Sequence, residues 1–181
     1  MIGKKNELRE VFIRMMKQPI QVQVVTKTHW ISGDVGVSPQ GLFSQMNLPT
    51  ESSIEIESGE ISPLHRVNQS AEKFSKMWFV KQEVLAVLVD SRTGLGPSHV
   101  LRAGYTKPFP HMVRIILEGF ELIGEIQTGG RFDFSSFIFE GESTFLPLYG
   151  ARVQAILFPS AFAESPAILF NRKRVEGLSL I

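Results

Sequence analysis

Residues 110–126, PHMVRIILEGFELIGEI, decide the fold because they repeat residues 19–35, PIQVQVVTKTHWISGDV. The two segments align without a gap at an offset of 91 positions. The match continues to the end of the chain, so residues 110–181 form a diverged copy of residues 19–90. A repeat of this length predicts one supersecondary plan that is used twice.

The repeated segments have the pattern of β-strands. Residues 20–24, Ile-Gln-Val-Gln-Val, alternate strictly between apolar and polar side chains, which is the period of a half-buried strand. The second segment of each copy has a central glycine, Gly33 or Gly124, and a glycine inside a strand marks a bulge or a bend. We expect four or five strands per copy with no helix between them. This pattern predicts a mainly β chain with a small barrel in each half.

The chain divides into three parts on this interpretation. Residues 1–90 would hold an N-terminal helix and the first barrel, residues 91–109 a linker, and residues 110–181 the second barrel. We expect the helix over residues 4–17 to pack on the first barrel, with binding to a membrane surface or a partner as the alternative. Its apolar stripe recurs at helical spacing through Leu8, Val11, Phe12, Met15 and Met16.

The order of these elements resembles that of the Sm-like barrel. Residues 31–35 and 122–126 resemble the second Sm strand, where a glycine lies at the bend, and residues 45–48 resemble the Met-Asn segment of the first Sm motif. The chain is also similar to a group of uncharacterised bacterial proteins built from Sm-like repeats. The resemblance implies two tandem Sm-like, or SH3-like, barrels that join other barrels edge to edge.

Five polar residues are candidates for contact with nucleic acid. The resemblance to the Sm motifs nominates Asn47, Lys81 and Arg172. The turn that contains Arg172 is also the densest basic cluster of the chain, which adds Lys173 and Arg174 because clustered cations bind phosphates. A solvated hairpin turn is the alternative interpretation of this cluster.

A comparison of the two copies also nominates a contact surface. At the offset of 91, Leu146 and Leu148 stand opposite Glu55 and Glu57. The same strand face would then be polar and exposed to solvent in the first copy but apolar in the second. We therefore expect Leu146, Leu148 and their neighbour Tyr149 to contact the other copy or another subunit.

The composition excludes several classes of protein. A chain without cysteine has no disulfide, no zinc–thiolate site and no cysteine nucleophile. A formal net charge of +1 gives no global field that would recruit nucleic acid. The four histidines do not stand at metal-ligand spacing, so we expect no metal and no cofactor. A charged N-terminus and the lack of a long apolar run predict no membrane span and a cytoplasmic protein.

These observations favour a non-catalytic binding or assembly module. No nucleophile with its base, and no carboxylate pair, can be assembled from the positions that the copies share. We expect a homo-oligomer that forms through the edge strands of the barrels, since exposed edges pair, or a scaffold for a protein partner. A single-stranded RNA-binding protein is the alternative. A small-ligand barrel of the cyclic-dinucleotide-binding kind ranks third, and an enzyme is least favoured.

Overall fold

In both halves of the chain, the described residues form mainly β-strands. The computed structural model describes residues 17–67, 69, 71–97 and 108–181. Its strands are β1 (Gln18–Val25), β2 (His29–Val37), β3 (Ser53–Pro63), β4 (Glu72–Val80), β5 (Ala86–Val89), β6 (Phe109–Leu117), β7 (Phe120–Thr128), β8 (Phe145–Ala155), β9 (Phe162–Asn171) and β10 (Val175–Leu180).

The strands join in one open antiparallel sheet, in the order β10-β6-β7-β8-β9-β5-β1-β2-β3-β4. We call β1 to β5 the first repeat and β6 to β10 the second repeat. Each repeat has the same internal order, and the two are joined where β5 of the first pairs with β9 of the second. The prediction of a mainly β chain is confirmed. Strands β4 and β10 lie at the two edges of the sheet that the structure describes.

Two short helices lie between the second and third strands of the repeats, so the expectation of no helix there was wrong. They are α1 (Gly41–Asn47) and α2 (Phe134–Phe139). Helix α1 forms because Leu42 and Met46, one turn apart, are both buried on the same face. Helix α2 begins at a polar cap, because the Asp133 carboxylate accepts a hydrogen bond from a backbone N–H in its first turn.

The predicted N-terminal helix lies outside the described residues, apart from its last position. Within the predicted linker, Arg92–Leu95 forms a 3₁₀ turn whose Leu95 is buried against the first repeat. The rest of the linker is described only at residues 91, 96, 97, 108 and 109. None of the helices that the structure describes is long and apolar enough to cross a membrane.

The two strand glycines lie where the pairing register shifts. The ladder between β2 and β3 is irregular around Gly33, and the ladder between β7 and β8 is irregular around Gly124. On the facing strands, Ser58 and Gly150 both adopt a φ of 50°. A Cβ atom on Gly124 would lie 2.7 Å from the Cβ atom of Ala151. The predicted bulges are therefore confirmed, and the glycines are needed because the facing strand comes so close.

The two repeats are offset by 91 residues in most strands but by 92 in the third. Ile54 lies opposite Phe79 in the first repeat, and Leu146 lies opposite Phe170 in the second. The phenylalanines are 91 positions apart, while Ile54 and Leu146 are 92 apart. Compared with the first repeat, the second repeat therefore has one more residue between β7 and the paired part of β8, and one fewer between the paired parts of β8 and β9.

The buried apolar side chains form two hydrophobic cores, and each core includes residues of both repeats. The first core is centred on the first repeat but includes four residues of the second, namely Phe145, Tyr149, Ala167 and Leu169. The second core is centred on the second repeat but includes five residues of the first, namely Val25, Leu64, Leu85, Ala86 and Leu88. The repeats thus complete each other's interior.

We expect Gly124→Ala to destabilise the protein by roughly 1–3 kcal/mol, because the new methyl group would overlap Ala151 and the Leu148 side chain at 2.7 and 2.8 Å. Chemical denaturation followed by circular dichroism would measure the free energy of unfolding. The matched control is Gly130→Ala in the same repeat, where no atom lies within 4 Å of the added Cβ. Equal stability of the two variants would contradict the proposed role of Gly124.

Candidate functional site

The junction between β5 and β9, which we call the seam, is where the sheet strands of the two repeats pair. Ala86 lies opposite Phe170 and Val89 opposite Ala167, and all four residues of β5 are buried. Alternate residues point to different cores. Val87 contributes to the first core and Leu88 to the second, so both faces of this strand pair are covered.

Buried polar side chains close the seam at both ends. At one end, the Ser165 hydroxyl lies 2.7 Å from the carbonyl oxygen of Val89, to which it donates. At the other end, the Asn171 amide donates to the carbonyl oxygen of Val84 at 3.1 Å. Backbone groups at the ends of a strand pair are costly to bury without partners, and these side chains supply them.

Asn47, a residue proposed above to contact nucleic acid, joins the two repeats. Its Nδ2 atom donates to the carbonyl oxygen of Phe145 at 3.0 Å, and its Oδ1 atom accepts from the Phe145 backbone nitrogen at 2.8 Å. Nδ2 also donates to the carbonyl oxygen of Phe43 at 3.1 Å. The Asn47 side-chain amide thus forms two hydrogen bonds with the Phe145 backbone, as a residue of a neighbouring strand would, and connects the end of α1 to the start of β8.

Lys81 and Arg172 occupy equivalent turns of the two repeats, and both point inward. The Lys81 ammonium donates to the carbonyl oxygen of Gln45 near the end of α1. The Arg172 guanidinium donates to the carbonyl oxygens of Glu140 and Gly141 just after α2. Burial lowers the pKa of Lys81, against a smaller opposing effect of a nearby carboxylate, and burial also lowers the pKa of Arg172. Each cation satisfies carbonyl groups at a helix C-terminus.

A chain of charged side chains crosses the seam on its surface. The Lys27 ammonium of the first repeat lies 2.9 Å from the Glu118 carboxylate of the second. Arg174 lies 3.1 Å from the same carboxylate and 3.4 Å from the Glu83 carboxylate of the first repeat. Arg174 also donates to the carbonyl oxygen of Gln82. Burial raises the pKa of Glu118, but the hydrogen bonds and charges of Lys27 and Arg174 outweigh it, so the pKa is lowered overall.

The structure brings four of the five candidate nucleic-acid residues to one cleft. This cleft has a volume of 680 Å³, and residues of both repeats line it. Its lining includes Asn47, Lys81, Lys173 and Arg174, together with three carboxylate residues, Glu51, Glu118 and Glu142. Lys173 is the exposed cation of its turn. Three cations and three carboxylates therefore line the cleft, and no single sign of charge prevails.

The three candidate interface residues lie in the interior. Leu148 is fully buried in the second core, and Leu146 packs against that core. Tyr149 is buried in the first core, beneath the Arg92 guanidinium, whose carbon is 4.8 Å from the ring centroid. Desolvation raises the pKa of Tyr149 to about 12, with opposing and reinforcing effects of Arg92 and Glu125.

The one-residue shift in the third strand changes the alignment from which these candidates came, although Tyr149 does contact the first repeat through the first core. In the structure Leu146 and Leu148 are equivalent to the core residues Ile54 and Ile56, not to the glutamates beside them. The missed residues are those of β5 and β9. Their signal was present, because an unbroken apolar run such as Val84–Val89 is typical of a strand that is buried on both faces.

We expect Asn47→Ala to lower the free energy of unfolding by about 1–3 kcal/mol, because the backbone N–H and carbonyl group of Phe145 would lose their partner between the repeats. Thermal and chemical unfolding would measure the loss. The control is Ser44→Ala in the same helix, whose hydroxyl makes a solvent-exposed hydrogen bond to Gln40. A loss no larger than that of the control would contradict the bridging role.

Comparisons of this chain with models of known protein families, with curated proteins and with solved structures found no match. The described residues also contain no group of three or more His, Asp or Glu side chains that could hold a metal ion. The candidate site is therefore defined by the geometry of the seam and of the two sheet edges.

Proposed function

We propose that the chain is a non-catalytic assembly module, made of two tandem Sm-like barrels, whose copies join head to tail through strands β10 and β4. The observation that carries this proposal is the seam itself. Inside one chain, the last strand of the first repeat pairs with the fourth strand of the second. The two edge strands of the sheet, β10 and β4, are the equivalents of these two strands. Neither edge strand has a second neighbouring strand in the described part of the chain.

The seam supplies a register for the contact between copies. Strand β10 is equivalent to β5, and β4 is equivalent to β9. Inside the chain, Val87 lies opposite Leu169. The equivalent pairing between two copies sets Leu178 opposite Trp78 and Ser179 opposite Met77.

The edges have apolar side chains that a second copy would cover. Trp78 on β4 is 61% exposed, and Leu180 on β10 is 55% exposed. The equivalent positions of the seam, Leu169 and Val89, are buried. Removing a large apolar side chain from water contributes roughly 1.5–3 kcal/mol, which favours association at these edges.

Lys76, the lysine of β4 that lies within the proposed ladder, does not oppose this contact. Edge lysines commonly prevent strand pairing, because their charge would be buried in the new sheet. Lys76, however, lies 2.8 Å from the Glu55 carboxylate and 2.9 Å from that of Glu57, on the adjacent strand β3. Its charge is neutralised within the repeat, and the strand remains available for a partner.

The observations favour assembly over RNA binding. Of the five candidate residues, Asn47, Lys81 and Arg172 bond to backbone groups, and Arg174 bonds to Gln82 and to carboxylates. Lys173 remains as an exposed cation. Salt-sensitive binding of single-stranded RNA that is weakened by Lys173→Ala would support the alternative instead.

Light scattering at micromolar concentration tests the assembly. We expect a mass that is a multiple of the 20.3 kDa chain. Trp78→Ser should weaken association roughly 10- to 100-fold, because it removes the apolar anchor of the β4 edge. The control is Leu157→Ser, a residue 79% exposed in the loop between β8 and β9. A wild-type chain that scatters as a clean monomer would disprove the proposal.

Engineered disulfides test the register, and the cysteine-free chain gives them a clean background. We expect Met77→Cys combined with Ser179→Cys to form covalent oligomers on oxidation, since directly opposed residues meet the distance requirement of a disulfide. The control combines Met77→Cys with Leu180→Cys, because a shift of one residue turns the side chain to the other sheet face. Cross-linking of the control alone would contradict the register.

A further inference from the structure

Equivalent positions of the two repeats meet across the seam, and they carry opposite charges. Lys27 and Glu118 occupy the same place in the turn between the first two strands of each repeat, 91 positions apart. Their charged groups lie 2.9 Å apart. Glu83 and Arg174 likewise occupy the same place in the last turn of each repeat, and their charged groups lie 3.4 Å apart.

This arrangement makes the seam selective for unlike repeats. Two first repeats that met in the same geometry would bring Lys27 against Lys27 and Glu83 against Glu83. Two second repeats would bring together two copies of Glu118 and two of Arg174. Like charges in contact destabilise an interface, whereas the pairing of a first with a second repeat brings opposite charges together twice.

We propose that these two charge pairs are a code for self-recognition, in which the β10 edge of one copy accepts the β4 edge of another copy of matching charge. The inference rests on the assembly proposed above. Its partner is a second copy of this chain, placed so that first and second repeats alternate along the assembly.

The two first-repeat side chains have the exposure that this role needs. The Lys27 side chain is 50% exposed and the Glu83 side chain 62% exposed, although each has a partner inside the chain. Both belong to the first repeat, whose β4 edge faces the next copy. Their partners on that copy would be Glu118 and Arg174, whose side chains are 22% and 25% exposed, and the contact would repeat the attraction seen at the internal seam.

A charge-inverted chain tests the code. It combines Lys27→Glu, Glu83→Arg, Glu118→Lys and Arg174→Glu, so that both pairs inside the chain, and the pair of Glu118 with Arg174, keep opposite charges. Its β4 edge would meet a wild-type β10 edge with like charges at both positions. We expect the inverted chain to assemble with itself as the wild type does, but not with the wild type.

Native mass spectrometry of mixed chains with different tags gives the readout. Two wild-type chains should mix freely, while wild-type and inverted chains should form roughly tenfold fewer mixed than homotypic species. At about 1 M salt, where charges are screened beyond roughly 3 Å, mixing should recover, which a folding defect in the variant would not produce.

The possible outcomes separate the two proposals. Free mixing of wild-type and inverted chains at low salt would overturn the charge code and leave the assembly standing. A wild-type chain that remains monomeric would overturn the assembly and the code together. Poor mixing that persists at high salt would also overturn the code, since a difference in charge could not then be the cause.

Discussion

The pairing of β5 with β9 is the constraint on which the rest of the structure depends. It is a short ladder, Ala86 to Val89 against Ala167 to Phe170, yet its side chains enter both cores. Burial on both faces is what a central strand of a sheet requires, and it explains why these strands carry unbroken apolar runs. The buried side chains of Ser165 and Asn171 then donate to backbone carbonyl groups at the two ends of the ladder.

The mainly β fold could be predicted from the sequence, since the repeat keeps one offset over β1, β2, β4 and β5 and their equivalents. The alternation of residues 20–24 and the glycines at 33 and 124 located the strands and their bulges. The helices α1 and α2 were missed because six or seven residues contain too few turns to display a helical period. The extra residue before β8 was hidden, because a strand shifted by one position still alternates.

The site was harder to predict than the fold, for a physical reason. The sequence shows that Lys81 and Arg172 stand in equivalent turns. It does not show that each donates to carbonyl groups at the end of a helix. Without the helices, the two cations could only be assigned to solvent or to a phosphate. Likewise, the opposite charges of Lys27 and Glu118 could be recognised as an ion pair only from the structure, in which the equivalent turns of the two repeats are in contact.

The exchange of core residues between the repeats has a consequence for thermodynamic cooperativity. Leu85 and Leu88 of the first repeat fill the second core, while Phe145 and Leu169 of the second repeat fill the first. Neither half therefore has a complete interior of its own, and opening one would expose apolar surface in the other. The duplicated chain should melt in a single transition, as one folding unit.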